Sequence, residues 1–222
     1  MSKNTYQDSS CDFCREFTRS EGSRFSSIYA GVLESREVWT DSEFVVLPTL
    51  GQLLNGSLLV LPRLHVDRFA DLNGESRSRV HVVLAELKKG FSGPVIVFEH
   101  GAKSVIGGGC GIFHAHVHIV PVPHKVAVAE ILPRKSVQHA SLLEAWQDNE
   151  LTEEYLIVGD TDGRFASLDR SAIQKAGVTS QFMRKFLVGH FGIPRAWDWR
   201  AYDQPEAELI QIVNEWRLSS VS

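Results

Sequence analysis

The chain has 222 residues, 43% hydrophobic and 23% charged, with 23 basic against 27 acidic side chains and a formal net charge of −4. This is the composition of one globular domain, or one domain with an appendage; it excludes a disordered, collagen-like or coiled-coil chain and offers no basic surplus for nucleic-acid phosphates. Three cysteines, Cys11, Cys14 and Cys110, do not make a disulfide framework, the first residues carry no apolar signal core, and no apolar stretch approaches a bilayer span, so a soluble, cytoplasmic protein is expected.

In chain order, the first ten residues are polar and expected to fray. Short strands are predicted at 36–40 and 43–47 around a turn at Asp41-Ser42. A buried strand at 57–61 is stopped by Pro62. From Glu75 the spacing turns helical, through Val80, Val83, Leu84, Leu87 and Phe91, with Gly90 and Gly93 as the stop. A strand at 94–98 is followed by Gly107-Gly108-Gly109 and a strand at 112–120. After Pro121 and Pro123, helices are expected at 126–132 and 140–148 and a hairpin from 155–158 and 164–168. Two more helices are expected at 180–191 and from Asp203-Gln204-Pro205-Glu206 onward, the last with Leu209, Ile212, Val213 and Trp216 as its apolar stripe.

The 112–120 segment carries the strongest chemical signal. Phe113, Ala115, Val117 and Ile119 alternate with His114, His116 and His118, a period of two that puts three imidazoles on one face. Residues two apart on a strand lie roughly 6.5–7 Å apart, too far for all three rings to bind one ion on a straight strand. The spacing suits one reacting ring with neighbours that hold other parts of a substrate or another ion. Neutral imidazole is already a nucleophile near physiological pH. Cys11-Asp12-Phe13-Cys14 is by itself open between a redox pair, half of a zinc site and chance.

The run His114-Ala115-His116-Val117-His118-Ile119-Val120 resembles the signature of the histidine triad (HIT) superfamily of nucleotide hydrolases and transferases. Asn55-Gly56-Ser57-Leu58-Leu59-Val60-Leu61-Pro62-Arg63-Leu64-His65 is similar to the superfamily's Gly-x-x-Leu-Val-x-Pro-x-x-His stretch, as is the opening Cys11-Asp12-Phe13-Cys14-Arg15. The resemblance implies an α+β fold: an antiparallel sheet of about five strands with helices on one side, over residues 10–124, and a mixed extension, 125–222, packed upon it. It implies His116 as the nucleophile at the α-phosphorus, His118 beside the phosphate and leaving group, and His114 orienting His116 through its backbone carbonyl. Glycine-rich 104–111, with Ser104, Gly109, Cys110 and Gly111, becomes the expected phosphate cradle, because glycines let backbone N–H groups approach an anion. Relatives often carry an Asp for the ribose where this chain has Thr49, and Glu99 is a candidate to share that role.

Zinc-containing branches imply a structural Zn²⁺ site of Cys11, Cys14, His65 and His114, whose two thiolates would balance the ion's charge. The implied activity is hydrolysis of a dinucleoside polyphosphate or nucleoside phosphoramidate through a nucleotidyl-histidine. A nucleotidyltransferase or phosphorylase, or a non-catalytic nucleotide-binding protein, stands as the alternative. The implied partner is the nucleotide; no membrane is expected, nucleic acid is disfavoured, and a homodimer is left open. In the extension, Arg184, Trp197, Trp199 and Arg200 either pack on the core or cover the site.

Overall fold

The computed structural model, which describes residues 8–103, 112–201 and 204–219, is organised on one antiparallel sheet of eight strands among those residues. The strands are β1 (Trp39–Thr40), β2 (Phe44–Pro48), β3 (Leu58–Pro62), β4 (Val95–Ala102), β5 (Val117–Pro121), β6 (Val137–His139), β7 (Glu154–Gly159) and β8 (Phe165–Asp169). Their order is β1-β2-β3-β5-β4-β7-β8-β6. The expected five strands are therefore corrected to eight. The triad strand β5 lies between β3 and β4, and the later hairpin β7–β8 attaches to the far edge of β4, with Glu99 opposite Ile157 and Ala102 opposite Glu154. An open edge of β4 left unpaired would expose a row of backbone donors and acceptors; the hairpin satisfies them.

Helices cover both faces, which corrects the expectation of one side. On the first face lie α3 (Gly74–Lys89), α5 (Leu142–Asp148) and α8 (Glu206–Ser219), packed through Val80, Leu84, Trp146, Leu209 and Val213 onto Val60, Val97, Val117 and Ile157. The α3 helix starts where Asn73 Oδ1 accepts the Ser76 N–H at 2.9 Å, a side-chain cap of an otherwise orphaned donor. The second face is divided. One half carries α1 (Asp12–Phe17), whose Phe13 and Cys14 pack on Val45, Leu47, Leu59 and Leu61. The other half carries α4 (Val128–Ile131), α6 (Arg170–Lys175) and α7 (Phe182–Phe191), packed on Ile96, Phe98, Leu156 and Val158. Burial on both faces explains why β2, β3 and β7 are buried at every position and read as continuous apolar runs. No helix among the described residues is long and apolar enough to cross a membrane.

The ladder of β5 starts only at Val117, five residues later than expected at 112. Upstream, the Ala115 N–H donates to the Val66 carbonyl at 2.7 Å, so the segment leaves the ladder to bond the chain that follows β3. The alternation nevertheless persists: Ala115, Val117 and Ile119 join the first-face core. The expected strand at 36–40 shortens to β1, because Arg36 is drawn inside. Its guanidinium donates to both Glu16 carboxylate oxygens, at 2.7 and 2.8 Å, and to the Pro48 carbonyl.

Candidate functional site

Four side chains from three separate segments converge beside the triad. Cys11 and Cys14 stand at the start of α1, His65 follows β3, and His114 precedes β5; their ligand atoms all lie within 4.8 Å of one another. Cys11 Sγ is 3.4 Å from His114 Nδ1, Cys14 Sγ is 3.4 Å from His65 Nδ1, and Cys14 Sγ is 3.6 Å from His114 Nδ1. Around a tetrahedral zinc a sulfur and an imidazole nitrogen stand about 3.5 Å apart, so these separations fit one ion. The tautomer agrees: His114 Nε2–H donates to the Pro62 carbonyl at 2.8 Å, which leaves the lone pair on Nδ1, facing the sulfurs. Burial holds the His114 ring neutral, pushing it down to about 4, and pushes the Cys11 thiol up to about 12. A dication reverses that preference of a thiol and favours the thiolate. The four residues can hold a metal ion.

His116 comes next on the same segment. Its Nδ1–H donates to the His114 backbone carbonyl at 2.7 Å, so Nε2 carries the lone pair. The ring is 7% exposed and lines a cleft, partly open to solvent, at the seam between the two halves of the second face. His118 lies beside it, ring centroids 5.1 Å apart, stacked on Phe98 at 4.3 Å and 11°. Burial first, then His116 and Arg184, push His118 well below the usual imidazole range. It is therefore neutral, with one nitrogen able to donate a hydrogen bond and the other to accept one.

The cleft walls are mainly apolar. Phe13 and Leu59 come from one half of the second face; Leu156, Phe182, Met183 and Trp199 come from the segment after residue 125. Polar side chains are interspersed, Asp12, Arg36 and Gln181 among them. Thr49, 9% exposed, lines the cleft with its Oγ1 buried and without a hydrogen-bond partner among the described residues. Its backbone is set by its N–H donating to Ser57 O at 2.9 Å and by Arg36 gripping the neighbouring Pro48 carbonyl. Arg184 enters from α7; its Nη2 donates to Gly51 O at 2.8 Å and its Nε to Trp197 O, and burial pushes its guanidinium down to about 10. His100 lines the cleft from β4. Trp197, by contrast, is 40% exposed and meets Lys185, whose Nζ lies 4.4 Å from the ring centroid.

Glu99 is not brought to the cleft. It faces the first-face core, where it accepts hydrogen bonds from Phe69 N–H at 2.9 Å, Trp146 Nε1–H at 2.7 Å and the Tyr155 hydroxyl. Gly101 permits this arrangement, since a Cβ there would stand 2.5 Å from the Tyr155 ring. Burial pushes the Glu99 carboxyl up to about 7. Because its folded-state value exceeds the unfolded one, its contribution to stability falls as pH rises from about 4.5 through 7. Glu99→Ala strands two or three buried donors and is expected to cost about 3–5 kcal/mol in urea unfolding. An unchanged midpoint would mean that water or neighbours satisfy those donors. Ser104, Gly109, Cys110 and Gly111 lie outside the described residues.

The sequence expectations thus converge for Thr49, His116, His118 and the Cys11–Cys14–His65–His114 cluster. Arg36, His100 and the α7 residues that line the cleft were not singled out together, because their meeting depends on pairings between distant segments.

No family model matches the chain. A protein of Chlamydia trachomatis serovar D named "Uncharacterized HIT-like protein" is 28% identical over 102 residues, 43% of this chain and 88% of the relative. A protein of the same name from Chlamydia muridarum is 24% identical over 103 residues, 43% and 78% of the two chains. Among solved structures, a histidine triad protein from Clostridium difficile shares 22% identity over 55% of this chain and 98% of that one, with a TM-score of 0.38. A zinc-bound histidine triad family protein from Mycobacterium smegmatis shares 21% identity over 44% and 72%, with a TM-score of 0.33.

Proposed function

The chain belongs to the histidine triad superfamily, and on that premise we propose that it is a nucleotide hydrolase that acts at an α-phosphate through a covalent nucleotidyl-His116 intermediate. The observation that carries this reading is the His116 ring, locked by its Nδ1–H bond to the His114 carbonyl with its lone pair on Nε2, at the wall of a cleft it shares with His118. Nε2 attacks the α-phosphorus, the bond to the leaving group breaks, and water then attacks the phosphorus to regenerate the imidazole and release a nucleoside monophosphate. Splitting one displacement into two lowers each barrier. His118, neutral and fixed on Phe98, donates a hydrogen bond to the phosphoryl oxygens instead of supplying a proton. Thr49 offers one hydroxyl to the ribose, and the aromatic walls Phe13, Phe182 and Trp199 suit a base.

Residues 10–124 form the catalytic unit in this reading, and 125–222 an extension that supplies one wall of the cleft. Zinc, held by Cys11, Cys14, His65 and His114, supplies a structural cross-link that pins α1 to the segment bearing His116. The chain's sparse, unpaired Cys11 and Cys14 suit a reducing cytoplasm.

The substrate classes are dinucleoside polyphosphates and nucleoside phosphoramidates. Incubation with a panel of both, radiolabelled at the α-phosphate, is expected to give a labelled, acid-labile protein adduct and free monophosphate. Repeating it with inorganic phosphate separates hydrolysis from phosphorolysis, which would yield the nucleoside diphosphate. No adduct with any member of the panel would overturn the reading.

Arg184 lines the cleft, and its charge, which acts on His118, is available to the leaving phosphates. Arg184→Met keeps the stem and removes the charge. A charge-assisted hydrogen bond is worth about 1.5–3 kcal/mol, so the variant's KM for a polyphosphate is expected to rise about 10- to 100-fold. An unchanged KM with an unchanged melting temperature would remove Arg184 from the site.

A further inference from the structure

The cleft holds a histidine outside the triad with its own carboxylate partner. His100 Nε2 and Glu154 Oε1 are 2.9 Å apart, and the two side chains are 12% and 10% exposed. The His100 hydrogen bond holds the Glu154 carboxyl below its usual range, so the carboxylate is ionised and fixes the ring with Nε2–H as donor. The lone pair then sits on Nδ1, for which the described residues offer no partner. The sheet register decides where this ring stands. Phe98 pairs with His118 across β4 and β5. Two residues further along β4, on the same face, stands His100, beyond the last rung of the ladder. Both rings line the same cleft. Glu154 arrives from β7, where it pairs opposite Ala102. The imidazole–carboxylate pair between β4 and β7 thus stands in the wall of the cleft that the nucleophile also lines.

We propose that His100, oriented by Glu154, is the general base of the second half-reaction, in which water hydrolyses the nucleotidyl-His116 adduct. This inference rests on the nucleotidyl-histidine reading above and names the group that reading leaves unassigned. His100 Nδ1 takes a proton from water as the water oxygen bonds to the phosphorus. The bond between phosphorus and His116 Nε2 breaks, and its electron pair returns to the ring. The products are the nucleoside monophosphate, neutral His116 and a His100 imidazolium beside the Glu154 carboxylate, which later loses its proton to solvent. The triad members are poorer acceptors of that proton. His114 has both nitrogens engaged, burial pushes His118 well below the usual imidazole range and makes it a weaker base, and His116 is itself the leaving group. A positioned base contributes about 10²- to 10⁴-fold.

The test separates formation of the adduct from its breakdown. The full-length protein is mixed with diadenosine polyphosphate radiolabelled at the α-phosphate and sampled by rapid acid-free quench. His100→Gln keeps a donor for Glu154 but has no base. Its adduct is expected to form at nearly the wild-type rate and to decay about 100-fold more slowly or worse, so that labelled protein accumulates. Glu154→Gln keeps a hydrogen-bonding partner for the ring without its charge, and is expected to slow decay about 10-fold with formation unchanged. Decay at the wild-type rate in His100→Gln overturns the proposal while leaving the nucleotidyl-histidine reading intact. Equal slowing of both steps assigns His100 a structural role and overturns it as well. No adduct in the wild-type protein overturns both.

Discussion

His116→Ala is expected to lose the labelled adduct and turnover together, by on the order of 10⁴-fold or more, while the protein stays folded. The size of the effect follows from what the neighbouring rings are already doing. His114 commits Nε2 to the Pro62 carbonyl and aims Nδ1 at two thiols, so it cannot rotate into the cleft without emptying both contacts. His118 is held face to face with Phe98 and kept neutral by burial, so it keeps its hydrogen bond but cannot reach the position that His116 leaves. His100 lines the same cleft from β4, with its ring tied to Glu154. None of these groups replaces the nucleophile, and a hydrolase that merely polarised the phosphate for direct attack by water would retain much of its rate. Full activity in the variant, with an unchanged melting temperature, would therefore discard the covalent route and with it the role given to His100. Loss of the adduct with slow residual hydrolysis would instead measure what binding and His118 contribute alone.

How far this was legible beforehand depends on which physical signal each element leaves in a sequence. The α3 helix was readable because it is half exposed: a single apolar stripe and a glycine stop agree. The triad was readable because β5 buries different chemistry on its two faces, so the period of two survives. β4 carries no such alternation in its apolar run, being covered on both faces, and there the sequence could not say which face Glu99 takes. The structure puts Val97 and Glu99 toward one core and Phe98 and His100 toward the cleft. The choice between those neighbours reassigns a candidate ribose ligand to the core and brings His100, only a weak candidate from its place near a predicted strand end, into the site. The hairpin β7–β8 was visible from its turn, but its pairing with β4 was not, since nothing local records which sheet edge a hairpin completes. The same holds for Arg184, whose carbonyl partner Gly51 is 133 residues away.

Removing the metal is expected to have the largest effect on stability. The protein purified without chelator should carry one zinc per chain, and the double variant Cys11→Ala/Cys14→Ala should carry none. α1 is only six residues long, too short to be stable alone, and its apolar attachment to the sheet consists of Phe13, Phe17 and the two cysteines. Structural zinc contributes folding free energy directly, about 10 kcal/mol or more in the smallest metal domains, where no other core exists. Here Val45, Leu47, Leu59 and Leu61 supply part of the packing, so the expected loss is smaller, about 3–5 kcal/mol, seen as a lowered and broadened melt. Activity should fall with it. Phe13 touches both His114 and His116, with ring centroids 5.8 Å apart in each case, and Glu16 anchors the Arg36 that grips the carbonyl before Thr49. Loosening α1 thus frees both the nucleophile's support and one wall of the cleft. Elemental analysis decides the matter: absence of zinc from the wild-type protein, or its full retention in the double variant, would discard the site, while loss of zinc with an unchanged melt would reduce it to an adventitious ligand set.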